Sequence, residues 1–487
     1  MLSILLAIPL LGALLIAAIP GRQTVLIQRL ALAASVAALA YASWLLSRFD
    51  ASSAAIQFAE SYTWNPRLGA RFAFGVDAFS LPLLLLTTLL TVVTILASCR
   101  NKGGTRLYFF LVLVLESAIL GVFSARDWSL FYVFWELTLI PLFFLIDRLG
   151  GPQRQRAALN FVLYTLGGSV FMLIALLFMY DAAPGHSFDM SAMADMAEGG
   201  RQLPLNMQLL IFAGLFLGFG VKMPVFPLHG WLRLAYTEAP IFIPIILSGV
   251  MAKMGAYGLL RAAEALPEAM AAASGGLAIV AVISMLYGGV LAWRQRDVKA
   301  MIAYSSMSHM GVVLLGIATL NAAGFAGTVV QMVSHGLVAG LLFLIVGLIH
   351  ERRAGRDLLD LDGLGKRLPR LKVFFVLALL ASVGLPGTAG FIAELHILIG
   401  GFARWSFLVM MLGLSVLLSA AYALRTISHL LASNSVREHP PAPDMNRGEL
   451  IGAGILASAV VAIGVLPGPL LALVNVSASQ LAHRFGY

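Results

Sequence analysis

The chain has 487 residues, of which 60% are apolar and only 11% are charged. A soluble domain is about 45–50% apolar and about 25% charged. The composition therefore excludes an ordinary soluble enzyme, a disordered chain and a nucleic-acid-binding module. The single cysteine, Cys99, excludes a disulfide framework and a cysteine-built metal site. The apolar residues suffice for about 14 membrane spans of about 20 residues each, which predicts an all-α polytopic membrane protein.

The long apolar runs mark the predicted spans in chain order. They are residues 2–19, 28–46, 75–98, 107–124, 127–146, 157–180, 206–228, 240–262, 274–293, 299–318, 323–349, 371–399, 403–430 and 449–475. None of these runs alternates as a half-buried strand would. The longest loops, 47–74 and 181–205, are too short for a folded domain. We interpret 2–19 as a span and not a cleaved signal peptide, because no basic residue precedes it.

The distribution of lysine and arginine predicts the orientation. Loops on the side opposite the N-terminus carry 21 basic residues, and loops on the N-terminal side carry 8. Because basic loops are retained in the cytoplasm, both termini are expected on the non-cytoplasmic side. The formal net charge of +9 then reflects topology more than an anionic partner.

Ionisable residues within the apolar spans are the functional candidates, because each costs about 2.5–3.5 kcal/mol on insertion scales. In chain order they are Glu116, Glu136, Lys222, Lys253, His309, His335 and Glu394. Structural alternatives stay open for three of them. Glu116 could be a packing carboxyl bonded to a neighbouring helix, and the two histidines could hold helices together.

Three further histidines are expected to have structural roles. His396 lies two residues from Glu394 and so does not share its helix face. His229 and His350 lie at span ends, where a partly hydrated histidine needs no special role.

Two spans are interrupted next to these candidates. Pro224 and Pro227 follow Lys222, and the segment Gly384-Leu385-Pro386-Gly387 precedes Glu394. Proline frees backbone carbonyls, which lipid tolerates only beside protein or a hydrated cavity.

The interruptions recur at a fixed place in two blocks of five spans, which predicts two inverted five-helix repeats. The expected divisions are residues 1–106 for three N-terminal helices, 107–262 and 263–430 for the two repeats, and 431–487 for the C-terminal helix and tail.

The chemistry that suits this row of residues is proton transfer. The sequence contains no phosphate-binding Gly-rich loop, no dinucleotide fingerprint and no Cys or His cluster for iron or haem. No cofactor or metal is therefore expected in this chain. At about 8 Å and an effective dielectric constant near 20, a Glu136–Lys222 pair would be worth roughly 2 kcal/mol. Separating the two would then favour release of the lysine proton, which predicts a switch.

Several motifs carry a family resemblance. They are residues 130–141 (LFYVFWELTLIP), 221–232 (VKMPVFPLHGWL), 237–240 (TEAP), 253–258 (KMGAYG), 303–311 (AYSSMSHMG), 334–336 (SHG) and 385–387 (LPG) leading to Glu394. As a set, in this order, they resemble the NuoM-type antiporter-like subunit of respiratory complex I, over about residues 70–430. The resemblance implies the NuoM-type subunit or its close NDH-type equivalent in a photosynthetic organism. Glu394 favours this type, because the NuoL-type, NuoN-type and Mrp relatives typically have lysine there.

The resemblance implies specific roles for the candidates. Glu136 and Lys222 look like the pair of the first half-channel, and Lys253 is similar to the connecting lysine. His309 and His335 resemble the central relay histidines, and Glu394 resembles the last residue of the second half-channel. The implied function is proton translocation by one membrane subunit of an NADH-quinone oxidoreductase, a translocase.

The resemblance also implies where the chain works and with what. NADH, FMN, iron–sulfur clusters and quinone would bind other subunits. The partners would be other antiporter-like and small membrane subunits and the lipid bilayer, in a bacterial inner membrane or a thylakoid-type membrane. The alternatives are a Mrp-type sodium/proton antiporter subunit, or a membrane subunit linked to bicarbonate uptake or to a hydrogenase.

Overall fold

The computed structural model describes residues 1–99, 105–183, 185–192, 203–352, 355–432 and 443–486. Five basic residues used to predict the orientation lie outside these described residues: Arg100, Lys102, Arg201, Arg353 and Arg437. The α-helices of the described residues are α1 (Leu2–Ala18), α2 (Thr24–Arg48), α3 (Leu81–Ser98), α4 (Thr105–Ser124), α5 (Trp128–Leu137), α6 (Leu139–Leu149), α7 (Arg154–Ala182), α8 (Leu205–Lys222), α9 (Leu232–Glu238), α10 (Ile243–Ile246), α11 (Ala252–Ala265), α12 (Pro267–Arg294), α13 (Val298–Ala318), α14 (Ala322–Glu351), α15 (Leu364–Arg367), α16 (Pro369–Ser382), α17 (Ala389–Leu431), α18 (Arg447–Val465) and α19 (Gly468–His483).

The prediction of an all-α polytopic membrane protein is confirmed. Within the described residues, twelve helical segments are long and apolar enough to cross a membrane, and α1 is a shorter apolar helix of 17 residues. The central helix is α14, which is buried at every residue from Gly324 to Ile349. By contrast, α7 leaves many of its leucines exposed, as expected of a helix that faces lipid. The core therefore surrounds α14, which carries His335.

Short polar side chains fix where several functional helices begin. The carboxylate of Asp127 accepts hydrogen bonds from the backbone of Ser129 and Leu130 at the start of α5. Asp297 caps α13 in the same way, and Asn321 caps α14. Such caps satisfy backbone N–H groups that have no partner within the helix. They set the register of the helices that carry Glu136, His309 and His335.

The predicted third span and the loop before it are partly wrong. Residues 57–65 and 70–76 form two antiparallel strands, β1 and β2, joined by a turn with Gly69 at φ 59°. Residues 75 and 76 thus belong to β2, and the third span begins only at Leu81. The strands are shorter than a span, so a search for long apolar runs does not detect them.

The twelfth and thirteenth predicted spans are organised differently from the prediction. The chain is non-helical from Val383 to Thr388, and then α17 runs for 43 residues with a kink at Trp405 (φ −142°, ψ 66°). A Cβ built on Gly401 would touch the side chain of Val409, eight residues on. In a straight helix such residues are about 12 Å apart along the axis, so the two halves of α17 fold back on each other.

The predicted span 449–475 is also broken. Helix α18 ends at Val465, and α19 starts after Pro467. The residue before a proline is disfavoured in the α conformation, and Leu466 accordingly has φ −124° and ψ 67°. Gly464 lies against the backbone of Gly387 and Thr388, so the breaks in two separate spans lie against each other.

The breaks after α8 and α16 share one backbone pattern. The N–H of Val225 donates to the carbonyl of Gly220 at 3.1 Å, and the N–H of Leu385 donates to the carbonyl of Leu380 at 3.3 Å. Each bond spans five residues and closes the last turn of its helix. The two interrupted spans therefore end with the same local geometry.

Candidate functional site

Lys222 is the last residue of α8 and is 1% exposed. Its Nζ donates a hydrogen bond of 2.8 Å to the Oγ1 of Thr138. The same ammonium lies 4.7 Å from the centre of the Trp135 ring. Thr138 joins α5 to α6, and its hydroxyl donates to the carbonyl of Trp135 at 2.7 Å. One hydroxyl thus ties Lys222 to the interruption in the fifth span.

Glu136 lies beside this group without contacting Lys222 directly. It precedes Thr138 by two residues and acts electrostatically on Lys222. No ion pair within 4.0 Å joins the two side chains in the described structure. The Oε1 of Glu136 is buried and has no hydrogen-bond partner there. Glu136 and Lys222, which were predicted to pair, therefore lie near each other but form no ion pair in this structure.

Lys253 lies at the centre of the bundle and is fully buried. Residues Leu247–Met251, just before it, form a π-helix. Its Nζ donates to the carbonyl of Ser248 at 2.5 Å and lies 2.6 Å from the Nδ1 of His335. A π-turn shifts the backbone pairing by one residue, and here the carbonyl of Ser248 receives the lysine. This lysine and this histidine are in direct contact.

The line of contacts continues through a second histidine to a carboxylate. The rings of His335 and His309 have centroids 5.3 Å apart. The Nδ1 of His309 lies 4.0 Å from the Oε1 of Glu394 and 3.4 Å from the Nε2 of Gln331. The Nε2 of His309 is buried without a hydrogen-bond partner in the described residues. The structure thus brings Lys253, His335, His309 and Glu394 into one continuous row.

Glu394 reaches this row because of the break before α17. Gly384 in the break has φ 81°, and a Cβ there would lie 2.7 Å from the Oε2 of Glu394. Only glycine adopts this conformation at little cost and leaves that space open. Gly384 therefore allows the carboxylate to approach the interrupted backbone.

Glu116 is fully buried on α4, and neither of its carboxylate oxygens has a hydrogen-bond partner in the described residues. A packing carboxyl is expected to be bonded to a neighbour, so this geometry does not support the structural alternative. Among the described residues, Glu116 forms no hydrogen bond or ion pair with the row from Lys253 to Glu394, so the structure does not join it to that row.

His396 and His229 contact groups that do not belong to the row. The Nδ1 of His396 lies 2.8 Å from the carbonyl of Ile392 on its own helix. His229, in the turn after α8, packs against Phe226 and Tyr287, and burial lowers the pKa of its imidazole.

A second buried charged cluster lies between β2 and α3. Arg261, one of the eight basic residues predicted to lie in loops on the N-terminal side, is instead 1% exposed on α11. Its guanidinium contacts Asp77 at 2.5 Å, and Arg126 contacts the same carboxylate at 3.4 Å. Burial alone would raise the pKa of Asp77, but the charges of Arg261 and Arg126 lower it to about 2. The cluster links three elements near one end of the bundle.

Sequence reasoning missed Thr138, Ser248, Gln331 and Gly384 as parts of the site. The first three are uncharged, so they do not stand out in an apolar span. Gly384 did lie in a recognised interruption. The signal in the sequence was the glycine itself, which adopts a positive φ at little cost. No hydrogen bond or ion pair of the described residues links the group around Lys222 to the row that begins at Lys253.

The fold and the buried row of protonatable side chains define a polytopic membrane protein that translocates ions. A family model described as NADH:quinone oxidoreductase/Mrp antiporter, TM matches residues 125–419. The chain belongs to this family of antiporter-like membrane subunits.

Named relatives and solved structures agree. NAD(P)H-quinone oxidoreductase chain 4-3 of Nostoc sp. is 40% identical over 82% of this chain and 71% of its own length. A chain 4 protein of Thermosynechococcus vestitus is 35% identical over 99% of this chain and 92% of its own length.

Among solved structures, a chain of respiratory complex I from Thermus thermophilus is 30% identical, covers 100% of both chains and has a TM-score of 0.90. A chain of the Mrp complex from Dietzia sp. covers 99% of this chain and 97% of its own, with a TM-score of 0.87. At 22% identity that second likeness shows the fold alone.

Proposed function

We propose that the chain is a proton-translocating membrane subunit of an NAD(P)H-quinone oxidoreductase, of the NuoM or chain 4 type. The observation that carries this proposal is the buried row from Lys253 through His335 and His309 to Glu394. The names of the relatives support the parent complex. Electron transfer, with NADH, FMN, iron–sulfur clusters and quinone, belongs to other subunits. This chain provides a proton channel.

The row suits stepwise proton transfer because each neighbour can act as acid or base. The ammonium of Lys253 donates to the imidazole of His335, which at 2.6 Å is already within hydrogen-bonding distance. His335 passes a proton to His309, either directly or through one bridging water. His309 then protonates the carboxylate of Glu394, Glu394 releases that proton to the far side of the membrane, and reprotonation of Lys253 restores the start. Over one cycle one proton enters the row and one proton leaves it, so the number of protons in the row is unchanged.

The group around Lys222 is the loading end of this channel. When Lys222 contacts Glu136, the carboxylate stabilises its ammonium form, and when the two separate that stabilisation is lost. The observed position, with Lys222 bonded to Thr138, corresponds to the separated state. Glu116, buried and without a bonded partner, is a further proton-accepting group near the first half-channel.

The domain organisation and orientation complete the proposal. Residues 107–262 and 263–430 are the two inverted repeats, which is supported by the matching five-residue hydrogen bonds at Val225 and Leu385. Both termini lie on the non-cytoplasmic side of a bacterial inner membrane or a thylakoid-type membrane. Neighbouring antiporter-like and small membrane subunits are the partners.

Two single variants test the proposal in membranes that contain the whole complex. Lys253→Ala and Lys222→Ala should each abolish proton pumping, measured with a pH-sensitive dye, while electron transfer to an artificial acceptor continues. Lys372→Ala, at the start of α16 and away from both groups, is the matched control and should pump normally. Pumping by either channel variant would overturn the assignment. Pumping that required sodium would instead favour the antiporter alternative.

A further inference from the structure

A cavity of about 480 Å³ opens between α7, the turn after α8, α9 and α13. It lies at the end of the bundle where α7 begins, and none of its lining residues belongs to the proton row. Its polar lining includes Arg156, Arg233, Asn160 and Tyr304. The proposed function uses none of these residues.

The two arginines of this cavity are unpaired. Neither Arg156 nor Arg233 forms a side-chain hydrogen bond or an ion pair with any described residue, and no acidic side chain of the described chain lines the cavity. Two like charges beside one cavity repel each other unless an anion lies between them. A planar guanidinium with several N–H donors suits a phosphate group, which it can bind through two parallel hydrogen bonds.

An apolar stripe leads away from the cavity along α7. Leu159 and Leu163 line the cavity and are 56% and 61% exposed. Leu166, Val170 and Ile174 continue the same face toward the other end of the helix, and all three are exposed. Because α7 is long and apolar enough to cross a membrane, this face meets hydrocarbon chains. The cationic cavity therefore lies at one end of the apolar stripe on α7.

We propose that this cavity binds the phosphate headgroup of an anionic phospholipid whose acyl chains lie along the α7 stripe. The two arginines would pair with the phosphate, the cavity would hold the headgroup, and the apolar stripe of α7 would lie along the acyl chains. By the predicted orientation, α7 begins on the cytoplasmic side, where basic pockets between membrane helices bind anionic headgroups. Arg156 and Arg233 are the residues that select the charge, and Leu159 and Leu163 hold the chains.

Lipid retention by the purified complex tests this site. The complex is depleted of lipid in detergent, incubated with phosphatidylglycerol or phosphatidylcholine, and the lipids bound per complex are counted by native mass spectrometry. The variant is Arg156→Gln with Arg233→Gln. The matched control is Arg294→Gln with Arg296→Gln, two exposed arginines at the same end of the bundle that do not line the cavity.

The expected result is one phosphatidylglycerol fewer per complex in the cavity variant, with an unchanged count in the control and no difference with phosphatidylcholine. Electron transfer and subunit content should match the wild type in both variants, which excludes misfolding as the cause. An unchanged phosphatidylglycerol count in the cavity variant would overturn the proposal. So would an equal loss of phosphatidylcholine, or an acidic segment of a neighbouring subunit found in the cavity.

Discussion

The ammonium of Lys222 is bonded to the hydroxyl of Thr138 and not to the carboxylate of Glu136. Thr138 occupies the junction of α5 and α6, two residues after Glu136. The lysine therefore has a neutral hydrogen-bond acceptor available when it is separated from its acidic neighbour. A buried ammonium without such an acceptor would be costly, so this hydroxyl gives Lys222 a second stable position.

Thr138→Val should impair pumping, because valine keeps the shape of threonine and removes the only hydrogen-bond acceptor of Lys222 in the described structure. A hydrogen bond to a charged group contributes about 1.5–3 kcal/mol, which corresponds to a loss of about tenfold or more in the rate of pumping. Dye-based pumping assays on membrane vesicles measure this. Thr138→Ser restores the hydroxyl and should pump like the wild type. Normal pumping by the valine variant would remove Thr138 from the mechanism.

His309→Gln should interrupt the row between His335 and Glu394, because an amide cannot accept and release a proton as imidazole does. We expect loss of pumping with electron transfer to an artificial acceptor retained. His396→Gln is the matched control, since His396 is bonded only to a backbone carbonyl of its own helix. Equal effects of the two substitutions would mean that the row from His335 to Glu394 is not the path.

Gly384→Ala should displace the carboxylate of Glu394, because the new Cβ would lie 2.7 Å from its Oε2. Gly387→Ala is a closely matched control. Both glycines have positive φ, at 81° and 91°, but a Cβ on Gly387 meets nothing within 4 Å. The backbone strain, about 1–2 kcal/mol, is thus common to both. A clearly larger loss of pumping in the Gly384 variant is expected, and equal losses would show that strain alone is responsible.

Asp77→Asn should destabilise the protein by about 3–5 kcal/mol, because it leaves the buried guanidinium of Arg261 and the partly buried one of Arg126 without their shared carboxylate. The pKa of Asp77 is lowered to about 2, so its stabilising charge is fully present above about pH 4 and is lost only as the pH falls toward 2. The difference in melting temperature between wild type and variant should therefore be constant from pH 5 to pH 8. Asp50→Asn, at an exposed carboxylate, should leave the melting temperature unchanged. A difference that varied across this range would contradict the assigned pairing.

The candidate residues could be found in the sequence because each is a charge or an imidazole in an apolar run. Lipid makes such residues costly, so Glu136, Lys222, Lys253 and Glu394 stand out without any structure. The interruptions after Lys222 and before Glu394 were visible for a similar reason, since proline and glycine end helices. The break at Leu466 was missed, although Pro467, Gly468 and Pro469 follow it directly and give the same kind of signal.

The sequence by itself determined a membrane protein, the approximate spans and the identity of its buried ionisable groups, because these follow from the composition of each segment. Only the tertiary structure decided which of them touch. Lys253, which follows a π-helix, contacts His335 directly, Glu394 lies near His309 beside Gly384, and Lys222 is bonded to Thr138. Such contacts depend on how separate helices pack and where their backbones break, and no local pattern of residues specifies that.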